Sequence, residues 1–460
     1  MAASTHAQAH TPAGASSAAR RGGELPPGPR LTPLLQTFLW ALAPTWAMDR
    51  WRARLGDTFT VTFWPSGMHL VLVSDPADCK TVFTAPPEVA PSAAGTSPVA
   101  PVMGPSSVVV LTGPEHMRQR KLLLPPFHGE RMREYGEVIV AATRNDMASW
   151  PLGRPMRLQQ RTRAITLEVI LRAVFGVEAE RMGPLRSAIG ELLDPTHTLA
   201  MVRFALSSRT FDSAPREIRS SLQALDALIF AEIARRRAQS DLQERTDILS
   251  LLLLARDEDG QAMTDAELRD ELVTLLLAGH ETTATAVAWA VERLVRHPQK
   301  LRRLLAEIDA GESEEYLSAV VTETLRVRPV VPLVARRLTQ ELRVGGYTLP
   351  AGTRVAPSIY LTNRSERSYE QPREFRPERF LGEAPDTFSW IPFGGGIRRC
   401  IGASFALQEM KLILRTVLAE LEPQLPRGRW RRRDEWVRRR AVTLVPAAGA
   451  RVVWRRRRAA

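Results

Sequence analysis

Cysteine is scarce. Cys79 and Cys400 are the only two in 460 residues. That excludes a disulfide framework, and no CxxC or Cys/His cluster points to structural zinc. So little cysteine fits a reducing cytoplasm. Long hydrophobic runs are missing too. No stretch of 18 apolar residues exists, so no segment reads as a membrane span or anchor. The nearest, Leu34 to Met48, is interrupted by Gln36, Thr37, Pro44 and Thr45. Lysine is almost absent: Lys80, Lys121, Lys300 and Lys411 stand among 63 cationic residues. Such one-sided use of arginine points to coding bias and weakens it as a sign of any partner. Residues 1–23 contain no acid, and Arg20-Arg21 imitate a twin-arginine signal. Gly22-Gly23-Glu24-Leu25-Pro26 then follows in place of an apolar stretch, so residues 1–24 are expected to be a disordered tail. No internal repeat is visible.

What remains is ordinary globular composition, 44% hydrophobic and 25% charged, in a chain long enough to bury a large core and a bulky cofactor. The net charge of +13 raises nucleic acid, an anionic membrane or an acidic protein as partners. Its location narrows the choice. Residues 427–460 hold 13 Arg against Asp434 and Glu435, so the rest of the chain is nearly neutral. Nucleic acid is therefore not an expected partner. Arg118, Lys121, Arg399 and Lys411 are expected to form a basic face that steers an acidic electron donor.

Order is expected to begin at the Pro-rich step Leu25–Pro29. Thr58–Trp64 and Met68–Ser74 alternate around Pro65-Ser66-Gly67, which predicts a β-hairpin. Residues 85–110 lack periodicity and read as a long loop. From about 115 to 330 the pattern is mostly helical. Thr264-Asp265-Ala266-Glu267 is a capping box, and the helical pattern after it runs to His297-Pro298. A helix that long spans about 45–50 Å at 1.5 Å per residue. Short strands are predicted between 338 and 360, a helix after Cys400, and a hairpin over 441–454. The fold class is mainly α with minor β-sheets (α+β), built on one continuous core.

Three stretches carry chemistry. Phe393-Gly394-Gly395-Gly396-Ile397-Arg398-Arg399-Cys400-Ile401-Gly402 places a thiol after a Gly-rich turn, beside arginine and before a helix. Helix amides and cations lower a thiol pKa, and glycine lets the backbone approach something large. Ala278-Gly279-His280-Glu281-Thr282-Thr283 lies mid-helix. It is not a zinc-protease motif, because Ala284 stands where the second His would be. Gly279 costs about 1 kcal/mol there relative to Ala, so a compensating role is expected. Glu323 and Arg326 share one helical face at i, i+3.

These residues resemble the cytochrome P-450 family of haem-thiolate monooxygenases, soluble bacterial type. Phe393, Gly396, Arg398, Cys400 and Gly402 fill its cysteine loop, Gly279, Glu281 and Thr282 its oxygen-activation segment, and Glu323-x-x-Arg326 and Phe375 to Phe380 its supporting motifs. The likeness runs from about residue 25 to 455, which is read as one domain, with 456–460 a basic end. It implies haem b (iron protoporphyrin IX) held between the long central helix and the helix after the cysteine loop. Cys400 is implied as the axial ligand of its iron. Glu281 would relay protons and Thr282 hydrogen-bond the activated oxygen. Glu323, Arg326 and Arg379 would form a buried triad supporting the loop. His116, Arg120, Arg336 and Arg398 would bind the propionates, with His280 structural. Asn363-Arg364 is followed by Ser365-Glu366 where the family often has Asp-Pro, read as a change in a surface turn. The implied function is insertion of one atom of dioxygen into a small lipophilic substrate, by a cytoplasmic monomer. Electrons would come from a separate ferredoxin and NAD(P)H-dependent reductase. The substrate is expected to meet the loop near 85–110, the stretch near 195–215, the helix around Ala278 and Val330–Val334. A peroxide-driven or isomerase branch of the same fold, and a non-catalytic haem sensor or carrier, are the alternatives. An intact Glu281-Thr282 pair argues against the first two.

Overall fold

The computed structural model describes residues 24–96, 100–127, 131–176, 182–192, 216–428 and 434–457. Most of the expected tail, the stretch near 195–215 and residues 458–460 lie outside them. The chain opens with α1 (Pro33–Leu42) and α2 (Pro44–Leu55), then β1 (Thr58–Phe63), β2 (Met68–Val73) and α3 (Pro76–Thr84). Proline stands at the start of all three helices, where its missing N–H is no loss. The loop that follows holds only a short turn of helix, α4 (Ala100–Met103), before α5 (Gly113–Leu123) and α6 (Arg131–Met147). Next come β3 (Pro155–Arg157), α7 (Leu158–Phe175), α8 (Met182–Leu192), α9 (Arg216–Arg237) and α10 (Ile248–Leu254).

The long helix α11 spans Asp265–Arg296, 32 residues, and starts at the Thr264 capping box. Thr264 N donates to Glu267 Oε2 at 2.7 Å and Glu267 N to Thr264 Oγ1 at 3.2 Å. At about 48 Å it crosses the molecule, packing along α7 and touching α9, α10 and the later helices α12 (Pro298–Ala310), α13 (Glu315–Val327) and α15 (Ala403–Glu420). The remaining elements are β4 (Arg336–Arg337), β5 (Leu342–Val344), β6 (Tyr347–Leu349), β7 (Arg354–Pro357), α14 (Ile359–Thr362), β8 (Leu421–Gln424), β9 (Val437–Arg440), β10 (Thr443–Pro446) and β11 (Arg451–Arg456).

The sheets are small. The largest has order β1-β2-β7-β4, with β1/β2 the predicted hairpin and β2/β7 parallel. The hairpin expected over 441–454 does not form. β10 pairs with β9, whereas β11 pairs with β3 and β8. The turn at Pro446–Gly449 therefore carries the chain from one sheet to another. The core is also divided. A main cluster surrounds α7, α11 and α15, a second packs α1 and α2 against β1 and β2, and a third sits under α3 and β7. Trp289 of α11 belongs to the second cluster and stitches it to the long helix. Asn363, Arg364 and Ser365 are buried, so the Ser365 departure sits in the interior and not in a surface turn.

Candidate active site

The cysteine loop is closed by its own backbone. Cys400 N donates to Phe393 O at 3.0 Å and Arg399 N to Gly396 O at 3.0 Å. Cys400 ends the loop, and α15 starts at Ala403 with Gly402 as its cap. The glycines answer to a neighbour within the protein. A Cβ on Gly396 (φ +66°) would sit 2.0 Å from Phe83 O, and one on Gly395 would be 2.6 Å from the Phe83 ring. α3 therefore presses on the loop, and close approach to a cofactor is not what these two glycines serve. Cys400 is reachable by water yet ringed by protein, and burial pushes its thiol up. The Gly402 amide, Arg120 and Arg399 pull it down; Arg398, the cation expected from sequence, is not among them.

A cluster of cations converges near this loop. His116 and Arg120 lie one turn apart on α5, Arg336 on β4, and Arg398 two residues before the cysteine. Arg336 is buried whereas its neighbour Arg337 is exposed, which fixes the register. Arg336 meets only the Ala335 carbonyl, 3.3 Å away, and the Phe83 ring. Arg398 donates to Leu111 O and, at 3.5 Å, to Val108 O. No carboxylate pairs with any of the four among the described residues. Their charges oppose one another. Burial, then Arg398, Arg120 and Arg336, lower His116 to about 4. Burial, then Arg336 and Arg120, lower Arg398 to about 10, and burial alone lowers Arg336 to about 10. His116 Nδ1 is buried without a partner. Buried cations held together need anions. Two carboxylates beside a thiol match the propionates of haem over an axial cysteine, so the residues present fit that group.

The loop bearing Val108 is clamped to α11. Val108 N donates to Glu271 Oε1 at 2.7 Å, Ser106 N to Asp270 Oδ2 at 2.8 Å, and Ser107 and Thr274 hydroxyls meet at 2.7 Å. Sequence reading missed Asp270, Glu271 and Thr274. The available signal was a carboxylate, Glu271, between Leu268, Leu272 and Leu275 on a helix.

Further along α11 the carbonyls are captured by side chains. Thr282 Oγ1 donates to Ala278 O at 2.7 Å and Thr283 Oγ1 to Gly279 O at 3.2 Å. From α7, Thr166 donates to His280 O and Thr162 to Ala284 O, both at 2.9 Å. His280 Nδ1 lies 2.9 Å from Leu276 O, and burial lowers its pKa to about 4. Gly279 is explained by packing. A Cβ there would meet Ile170 of α7 at 3.1 Å, and the helix continues unbroken through it. Glu281 is in an ion pair with Arg163 of α7 (2.6 Å) and another with Arg440 of β9 (3.4 Å). No hydrogen bond joins it to Thr282 among the described residues. A second missed carboxylate stands close by. Glu409 of α15, fully buried, hydrogen-bonds Thr283, and burial pushes its pKa up to about 8.

Glu323 and Arg326 of α13 are completely buried. Arg326 uses every donor: Nε and Nη2 meet Glu323 at 2.6 and 2.8 Å, and the rest reach the carbonyls of Asn363, Pro372 and Glu374. Arg379 Nε reaches Glu323 at 3.2 Å, and the Arg376 amide at 2.7 Å. The basic face expected around the cysteine is largely neutralised. Arg118 pairs with Asp257 and Glu267, Lys121 with Glu258, and Lys411 with Glu314. Only Arg399 of the four has no ion pair.

A family profile described as Cytochrome P450 matches residues 26–447. Cytochrome P450 137 of Mycobacterium tuberculosis is 41% identical over 411 residues, covering 87% of this chain and 84% of the relative. Cytochrome P450 135B1 of Mycobacterium bovis is 41% identical over 439 residues, covering 93% and 91%. Among solved structures, retinoic-acid-bound cyanobacterial CYP120A1 superposes with a TM-score of 0.79 at 24% identity, over 94% of this chain and 99% of that one. The haem domain of cytochrome P450DA gives 0.81 at 23%, over 95% and 99%.

Proposed function

The chain belongs to the cytochrome P450 family and is a haem monooxygenase, and from that premise we propose that Cys400 is its axial thiolate and that His116, Arg120, Arg336 and Arg398 hold the propionates. The observation that carries this is the convergence of unpaired cations on the cysteine loop, with Arg120 acting electrostatically on both His116 and Cys400. Bound haem supplies the redox-active iron at which dioxygen is reduced, one oxygen atom entering the substrate and the other leaving as water.

The protein supplies position and protons. Glu323, Arg326 and Arg379 fix the chain that leads into the cysteine loop. Thr282 spends its hydroxyl proton on Ala278 O, which leaves its oxygen lone pairs free to accept from water. Glu281, Arg163 and Arg440 each keep some contact with solvent. Protons enter there, and release of Glu281 from Arg163 is the gating movement of the relay. The substrate is small and lipophilic, as the apolar run Val330 to Val334 and the small residues around Ala278 suit. Electrons arrive from a separate ferredoxin and NAD(P)H-dependent reductase. Residues 25–455 act as one domain and the enzyme works as a monomer.

The test is spectroscopic and kinetic. Cys400→His should lose the thiolate-type Soret band of the reduced carbonyl complex. An unchanged band refutes the ligand assignment. Thr282→Ala should keep that band but divert reducing equivalents to peroxide, with product formation lower by about 10²-fold. Full coupling in this variant refutes the role of Thr282.

A further inference from the structure

We propose that α1, the start of α2 and the tip of the β1–β2 hairpin dock the enzyme on an anionic lipid surface. From Leu31 to Met48 the chain carries no charge. One face of α1 is spent on the protein: Trp40 stacks on Trp51 and meets Phe63 edge-on, and Gln36 accepts from Thr62 N. The opposite face is also apolar. Leu34, Phe38 and Leu42 recur at i, i+4 and i+8, and all three are more than half exposed. Trp64, at the hairpin tip, is tied beside them because its amide donates to Thr37 Oγ1 at 2.9 Å. Trp46, at the first turn of α2, continues the stripe, and both tryptophans are at least half exposed. A helix apolar on both faces needs a second apolar phase.

The charge around the stripe selects the occupant. On α2, Trp46, Arg50 and Arg54 follow one another at i, i+4 and i+8, placing an aromatic ring at the apolar edge and guanidinium groups beyond it. Arg30 lies just ahead of α1, and Arg438 is on β9, which packs against both helices. All four arginines are exposed, and none is in an ion pair among the described residues. Apolar centre, aromatic edge and basic rim is the order of groups from acyl chains to anionic headgroups. Each arginine near such a surface contributes about 1 kcal/mol. Residues 1–23 cannot cover the stripe themselves, because Met1 is their only large apolar residue, and they add Arg20 and Arg21. Contact is at the surface only: among the described residues no helix is long and apolar enough to cross a membrane.

The haem-loaded full chain is tested by flotation with vesicles of phosphatidylcholine alone and of phosphatidylcholine mixed with phosphatidylglycerol. It should float with the mixed vesicles, less so at high salt, and brominated lipid should quench fluorescence from Trp46 and Trp64. Phe38→Glu with Leu42→Glu should cut the bound fraction by about tenfold or more, and Arg50→Glu with Arg54→Glu should weaken it with the apolar face intact. Both pairs are exposed, so thermal melting and the carbonyl spectrum should not change. No binding to mixed vesicles, or binding unaffected by Phe38→Glu with Leu42→Glu, overturns the proposal. So does a wild-type dimer that the same substitutions turn into a monomer, since the face would then belong to a second copy.

Discussion

Arg326 shows how much a single side chain holds. Its five donors go to Glu323 and to three carbonyls, from Asn363, Pro372 and Glu374, on the segment that leads toward the cysteine loop. Arg326→Ala leaves the Glu323 carboxylate buried beside only Arg379 and one amide. A lost partner of a buried pair costs about 3–5 kcal/mol, and urea unfolding should show a drop of that size. Arg326→Lys should recover little, because one ammonium cannot serve donors aimed in four directions. A loss below 1 kcal/mol in Arg326→Ala would show that the network is not what holds the segment. The i, i+3 spacing of Glu323 and Arg326 was legible in the sequence. Their burial was not, since the same spacing on an exposed helix is a weak surface pair.

At the scale of elements, contacts between distant segments decide what a local pattern means. The Gly-rich run before Cys400 reads in sequence as room for a cofactor, yet Gly395 and Gly396 make room for Phe83 of α3. Gly394 and Gly396 separate the two effects. Both have positive φ (+70° and +66°), but a Cβ on Gly394 meets nothing within 4 Å, while one on Gly396 collides with a backbone oxygen. Gly394→Ala should cost only the left-handed backbone term, about 1–2 kcal/mol, and keep its haem. Gly396→Ala must displace α3 or the loop, so it should lose about 3 kcal/mol or more and release haem on gel filtration. Equal effects would mean that Phe83 yields freely. The same lesson applies to Gly279, whose companion is Ile170, and to Pro446–Gly449, where strand pattern and turn residues were correct but the pairing partners were not. Periodicity fixes which residues form strands; only the assembled sheet fixes which strands meet.

Across the whole molecule, the helices, the hairpin, the capped long helix and the cysteine loop were readable because period, caps and glycine positions are local. Charge was not. Of the cations expected to present a basic face, Arg118, Lys121 and Lys411 are matched by acids 97 to 149 residues away in sequence. Conversely, Glu271 and Glu409 gave no signal of their burial. These two carboxyls shape the response to pH. Burial raises both from 4.5 to about 8, and each suits the neutral form. Glu271 keeps one oxygen unpartnered while the other accepts from Val108 N, and a protonated Glu409 can donate to Thr283. A folded-state pKa above the unfolded value gives stability that is complete below pH 4.5 and drains away as pH rises through 8. Acid acts oppositely through His280: its pKa falls from 6.5 to about 4, so its contribution is complete above pH 6.5 and is lost toward 4. Urea midpoints of the haem-loaded protein should therefore fall between pH 6.5 and 9 by an amount worth a few kcal/mol. Glu409→Gln and Glu271→Gln keep shape and hydrogen bonding but cannot ionise. Each should match wild type near pH 5, exceed it at pH 9, and flatten the alkaline slope by about one proton. Parallel alkaline slopes in wild type and both variants would show that these carboxyls are already ionised in the fold. In that case the clamp on the Val108 loop and the contact between α15 and α11 would be held by charge.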